Sequence, residues 1–203
     1  MKKMLIALMV GLLGATFAVA EENGGFIGAG VASSSMDINY ETYYNDSVST
    51  TSIPIILGTK RFFTKNLGIR FGGIIDLIDV TSEDSTKPSW RSGGVDAFVD
   101  VLFNFLSFEK LEVGAFGGVS LGWAMYSNKA WGTYSTSTGT YDEKVSGVDV
   151  GVNLGVRANL FSHHGVEVYY RRAFMEAKGE YSDGSTIKFK RPSLIGVRYI
   201  YSF

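Results

Sequence analysis

A chain of 203 residues is short enough for one domain, and its formal charge of −1 excludes the basic surface that a nucleic-acid partner requires. With no cysteine there is no disulfide framework and no thiolate metal site. Twenty-five glycines, 14% aromatic residues and only 3 prolines suit a many-stranded sheet in which small side chains relieve crowding.

The chain opens on an export signal. Lys2 and Lys3 give a positive start, Met4 to Phe17 is an uncharged apolar run, and Ala18-Val19-Ala20 has the form of a cleavage site before Glu21-Glu22. The run is shorter than the ~20 residues of a spanning helix. Residues 1–20 are therefore read as a signal peptide and 21–203 as the mature domain. Loss of Lys2 and Lys3 leaves 17 basic against 20 acidic residues, a formal charge of −3.

Eight strands follow. The first covers about Gly25 to Ser35 and is small and apolar on both parities, so its facing stays open. A polar loop, Asn39 to Ser47, precedes the second strand, Ile53 to Phe62. Pro54 cannot donate to a ladder and is expected at the loop end of that strand or at a bulge. A tight turn at Phe63-Thr64-Lys65-Asn66 leads to the third strand, from Leu67 to Leu77. After a loop at Thr81 to Arg91, containing Trp90, the fourth strand alternates most cleanly. Val95, Ala97, Val99, Val101, Phe103 and Phe105 share one parity, and Asp96, Asp100 and Asn104 the other. The turn Ser107 to Lys110 gives way to the fifth strand, with Val119, Leu121, Trp123 and Met125 opposed to Glu112, Gly118, Ser120 and Gly122. Beyond a loop at Ser127 to Glu143, the sixth strand sets Val148, Val150, Val152 and Leu154 against Asp149, Asn153 and Arg157. The turn Phe161 to Gly165 opens the seventh strand, Val166, Val168 and Tyr170 against Glu167 and Arg171. Strict alternation would put Arg172 on the apolar face; either a bulge near Tyr170-Arg171 changes the parity, or Arg172 snorkels. A fourth loop, Lys178 to Thr186, leads to the last strand, Ser193 to Phe203.

Segments of ~10 alternating residues, with long and short connections in turn, describe an all-β fold: an eight-stranded antiparallel transmembrane β-barrel of the outer-membrane type. Apolar residues recur at every second position, which excludes amphipathic helices. Lipid offers backbone groups no partners, so a spanning sheet must close. The apolar parity then meets lipid. The polar parity gathers Lys60, Arg70, Asp76, Asp96, Asp100, Glu112, Asp149, Arg157, Glu167, Arg171 and Arg198, six acids and five bases, into an interior charge network. Nearly balanced charges can pair, so a filled interior without an open pore is expected. Aromatic girdles are expected from Phe62, Phe63, Phe105, Phe108, Phe161, Tyr201 and Phe203 at the short-turn rim, and from Trp123, Tyr126, Phe174 and Phe189 at the other.

The last strand ends at Tyr199-x-Tyr201-x-Phe203. A terminal Phe with aromatics at alternate preceding positions resembles the signal read by the outer-membrane assembly machinery. The stretch Asn153-Leu154-Gly155-Val156-Arg157-Ala158-Asn159-Leu160-Phe161-Ser162-His163-His164-Gly165-Val166-Glu167 resembles the C-terminal barrel signature of the Helicobacter outer-membrane protein family. That resemblance implies a Gram-negative outer membrane, with both termini periplasmic. Larger members of the family carry a surface domain for adhesion, and some act as porins; this chain lacks room for such a domain.

No catalytic, cofactor or metal residues emerge. His163 and His164, the only two histidines, lie in a turn and point apart, so they decorate the turn rather than ligate. Ser162 beside them is exposed, which denies a triad the protected site it needs. Tyr43, Tyr44, Trp131 and Tyr134 in the loops are the candidate contacts with a sugar or protein ligand. The expected partners are outer-membrane lipid, the assembly machinery and a host or surface ligand at the loops. The reading is a structural or surface-interaction barrel. The alternatives are an adhesin or ligand-binding surface protein acting through its loops, and a narrow porin or lipid-modifying barrel enzyme.

Overall fold

Strict alternation of burial makes each segment a strand with two unlike faces. In the computed structural model, which describes residues 23–40, 44–80, 90–128, 144–180 and 186–203, nine strands form one antiparallel sheet. They are β1 (Gly24–Tyr40), β2 (Tyr44–Phe62), β3 (Leu67–Val80), β4 (Trp90–Ser107), β5 (Leu111–Asn128), β6 (Lys144–Leu160), β7 (His164–Ala173), β8 (Glu176–Glu180) and β9 (Thr186–Ser202). Neighbours in sequence are neighbours in space, and β9 pairs with both β7 and β1. β8 continues β7 along the same β9 edge, so the closed wall has eight staves. Closure removes the free edges that lipid could not satisfy.

The stagger can be followed around the wall. The row beginning at Leu194 of β9 passes through Arg171, Asn153, Gly118, Asp100, Arg70 and Lys60 to Gly24 of β1. Gly24 stands two residues before Phe26, the partner of Ser202, so one circuit moves the row ten residues along β9. With eight strands, such a stagger goes with a tilt of roughly 40° and an interior just wide enough for side chains.

The strands outrun their expected limits at one rim. β1 extends to Tyr40 and β2 starts at Tyr44, so most of the Asn39–Ser47 stretch read as loop is paired strand, with Tyr40 opposite Tyr44. Trp90, Arg91 and Lys178 likewise belong to strands rather than loops. Local propensity hid this, because polar residues continue a ladder whose register is already fixed lower down. Pro54 is not at a strand end either. It lies deep inside β2, buried, opposite Asp76. Its missing N–H shows as a lapse in the ladder to β1 between Ala29–Ile55 and Ala32–Ser52, while pairing with β3 runs through it.

The other rim carries the turns Phe63–Asn66, Phe108–Lys110 and Phe161–His163, together with the start of β1 and the C-terminus. Phe161 and Ser162 take positive φ values of 53° and 62°, the paired left-handed geometry of a tight hairpin turn.

Facing is decided by β4. Val99 and Val101 are 44% and 52% exposed, whereas Asp96 and Asp100 are 2% and 1%. The same division settles β1, where Phe26, Gly28 and Ala32 point in and Ile27, Ala29 and Val31 point out. Ile27, Leu57, Phe71, Leu121, Leu154 and Ile195 continue the outer apolar belt on other strands. Phe63, Phe105, Phe108, Phe161, Tyr201 and Phe203 ring its lower end, and Trp123 and Phe174 stand at the upper end. Two expected girdle members belong elsewhere. Tyr126 is buried on the inward parity of β5, and Phe62 packs on the inner cluster with Phe116 and Tyr169. Phe189 is placed in β9, and its side chain lies outside the described ones.

Candidate functional site

The interior is where this sequence concentrates its charge, and three inward glycines of β5 decide how that charge meets. Gly114, Gly118 and Gly122 each stand in one hydrogen-bonded row between a polar residue of β4 and one of β6. The rows are Asn104-Gly114-Arg157, Asp100-Gly118-Asn153 and Asp96-Gly122-Asp149. A Cβ at Gly118 or Gly122 would run into the carbonyl of Val99 or Val95 and the carboxylate of Asp100 or Asp96. The bare strand therefore lets side chains of β4 and β6 lean over it.

Three levels result. Nearest the long-strand rim, Arg171 Nη2 lies 2.9 Å from Asp149 Oδ2 and 3.2 Å from Asp96 Oδ2, and its Nε donates to Ser120 Oγ at 3.2 Å. Ser52 Oγ donates to Asp76 beside this group at 3.2 Å. At mid-height, Arg70 Nε donates to Asp100 Oδ2 at 3.0 Å and Nη1 to Glu167 Oε1 at 2.5 Å. Arg198 holds the second Glu167 oxygen, Nη2 to Oε2 at 2.7 Å. Nearest the turns, Lys60 Nζ donates to Ser202 Oγ at 2.8 Å, and Glu112, Arg157, Asn104 and Asn159 are buried around it. Every charged residue expected inside is buried there.

Aromatic rings fill the gaps. The Arg70 guanidinium sits 4.2 Å from the Phe116 ring centroid, and that of Arg198 4.5 Å from the Tyr169 ring. Phe26, Ile56, Ile74, Phe98 and Ile200 form an apolar patch on one inner wall. Planar guanidinium groups pair with carboxylates at their edges while stacking on rings at their faces, so one arginine meets both demands. Between the upper and middle levels a void of about 10 Å³ touches Asp76, Asp100, Asn153, Arg171 and Arg198, room for one water.

The histidines do more than decorate their turn. His163 Nδ1 is 2.9 Å from the Ser202 carbonyl oxygen, and His164 Nδ1 is 2.6 Å from the Tyr199 hydroxyl. The His163 ring stacks on Tyr201 at 6.2 Å between centroids, and the His164 ring meets it edge-on at 5.6 Å. His164 and Tyr201 are cross-strand partners, and Tyr199 is the diagonal neighbour. Register between the seventh and last staves was the signal that would have found this clasp. Tyr199 and Tyr201 face outward, and Phe203, 71% exposed, donates its N–H to the Gly25 carbonyl at 3.0 Å.

Of the loop candidates, Tyr43, Trp131 and Tyr134 lie outside the described residues, and Tyr44 is placed as the first residue of β2. Residues 1–22, including the expected signal peptide, lie outside them as well.

The Helicobacter outer membrane protein family model matches residues 54–203. Neisserial surface protein A has a similar structure, with a TM-score of 0.55, 14% identity, and coverage of 89% of this chain and 97% of that one. A major outer membrane protein of Thermus thermophilus matches with a TM-score of 0.48 and 13% identity over 88% of this chain and 99% of that one. OprG of Pseudomonas aeruginosa matches with a TM-score of 0.46 and 15% identity over 91% of this chain and 99% of that one. No curated protein sequence matches significantly.

Proposed function

The chain belongs to the Helicobacter outer membrane protein family, and from that premise we propose that it is a sealed structural barrel that presents its long-strand rim at the cell surface. The observation that carries the proposal is the tie across the lumen. Arg70 on β3 reaches Glu167 on β7, two staves that are not neighbours, and Arg198 closes the other side of the same carboxylate. Ions would have to break several charge-assisted bonds at once to pass. The outer apolar belt meets hydrocarbon, and the turn rim faces the periplasm along with both ends of the mature chain. Residues 1–20 direct export and are removed after Ala20. Tyr199, Tyr201 and Phe203 present the assembly signal on the outward side of the closing strand.

Conductance tests the seal. Purified monomers in planar bilayers are expected to stay at the background of the bare membrane. Stepwise ion currents from the wild-type barrel would sink the proposal. Orientation is tested on intact cells, where added protease is expected to cut only in the connections at the long-strand rim, between β1 and β2, β3 and β4, β5 and β6, and β8 and β9. Deleting the Ser127–Glu143 connection separates a surface-binding role from a purely structural one, by whether cell or glycan binding falls while the barrel still folds.

A further inference from the structure

Among the described residues, the outer surface holds one cation where the apolar belt should continue. Arg172 is exposed, and its stave alternates without interruption from His164 to Ala173, so no bulge turns it inward. Its cross-strand partner on β6 is Val152, and Tyr170 and Phe174 flank it on the same outward face. Among the described residues no carboxylate lies within ion-pair reach of it. It stands eight residues from His164 at the turn rim. At ~3.3 Å per residue and a tilt of roughly 40°, that is about 20 Å up a belt about 25 Å tall. Arg172 therefore sits a little below the surface-side edge of the belt, where hydrocarbon offers a guanidinium no hydrogen-bond partner.

The backbone just above it is irregular in a way that adds to the patch. β7 pairs with β9 as far as Arg171–Leu194, and β8 resumes at Glu176–Lys190. Four residues, 172–175, thus oppose three, 191–193, which is a bulge. As a result Phe174 and Met175, adjacent in sequence, are both exposed, at 54% and 47%. An exposed aromatic ring and an exposed thioether thus follow the guanidinium within three residues, at the level where acyl chains meet headgroups.

We propose that Arg172, with Phe174 and Met175, binds the phosphate of an outer-leaflet lipid headgroup. The guanidinium fork matches two phosphate oxygens, and the two apolar side chains pack on the adjoining acyl chain. This rests on the orientation proposed above. It differs from general lipid contact in naming one charged position.

The test refolds the barrel in vesicles of a phosphate-free galactolipid doped with phosphorylated lipid A or with its dephosphorylated form, then extracts it in mild detergent and measures lipid A retained per barrel. The wild-type chain is expected to retain the phosphorylated form about tenfold or more over the other, as a charge-assisted contact implies. Arg172→Gln should abolish the preference, and Arg172→Lys should keep part of it. Arg61→Gln, which removes an outward arginine at the turn rim, should leave it unchanged. Equal retention of both lipids by the wild type, equal preference in Arg172→Gln, or the same loss in Arg61→Gln would overturn the proposal. Competition by inorganic phosphate at matched concentration would also overturn it, by showing a general anion site. Heat-modified gel mobility of the refolded barrel reads membrane insertion separately. Failure there undoes the membrane reading itself, whereas normal insertion without lipid preference removes only this inference.

Discussion

Arg70 and Glu167 lie 97 residues apart in sequence and on opposite staves, yet their side chains meet in the lumen at 2.5 Å. The contact ties β3 to β7 without any backbone pairing between them. Both side chains are 2% exposed, and Asp100 on one side and Arg198 on the other complete the group that offsets the cost of burying them.

Removing one partner leaves one charge of this buried group uncompensated. Arg70→Gln or Glu167→Gln is expected to cost about 3–5 kcal/mol, read as a lower urea midpoint of the barrel refolded in vesicles. The double variant should cost less than the sum of the two singles, because each has already lost the shared contact. Additive losses would show that the two groups act independently.

The glycine track of β5 is tested by filling it. Gly118→Leu and Gly122→Leu place side chains where Asp100 and Asp96 now lie. Overpacking of this kind typically costs about 1–3 kcal/mol, with some of it appearing as failed refolding. Gly117→Leu, one residue away and facing outward with more space around it, should fold normally by heat-modified mobility. If all three behave alike, facing does not control tolerance.

The lipid-facing assignment makes a depth prediction. Leu154 is exposed on β6 about midway up the belt, and Ser146 is exposed on the same face near its upper end. Leu154→Lys should destabilise the vesicle-inserted barrel by about 2–4 kcal/mol, and Ser146→Lys by about 0–1 kcal/mol. Equal effects at the two heights would contradict a membrane around this face.

The histidine clasp predicts a smaller, local effect. His164→Ala removes the bond to Tyr199 and should cost about 1 kcal/mol. Amide hydrogen exchange is expected to quicken at the C-terminal end of β9 more than at β3, since the lost contact anchors only the closing strand. Tyr199→Phe should reproduce most of the change.

Assembly is predicted to depend on the last residue more than stability does. Deleting Phe203 removes an exposed ring and a single backbone bond to Gly25. In-vitro refolding should proceed, while the amount recovered from outer membranes falls several-fold by immunoblot. Normal recovery would remove the assembly role.

Alternation along β4, β5 and β6, with the rhythm of long and short connections, carried the fold class and the inward charges before any contact was known, while the facing of β1 and of Arg172 stayed open. A side chain's face on a strand follows from parity alone, and lipid outside with charge inside leaves closure as the only solution. Parity does not say which inward groups meet. That Arg70 crosses to Glu167, that β5 stays bare so β4 and β6 can reach over it, and that His164 lands on Tyr199 all depend on a stagger of ten residues around the wall. A one-residue change in that register would turn the strand's faces over and leave every local pattern intact. The strand ends, the interior place of Pro54 and the outward fate of Arg172 belong to the same class. Each is fixed by what the neighbouring stave offers at that height, which only the closed barrel supplies.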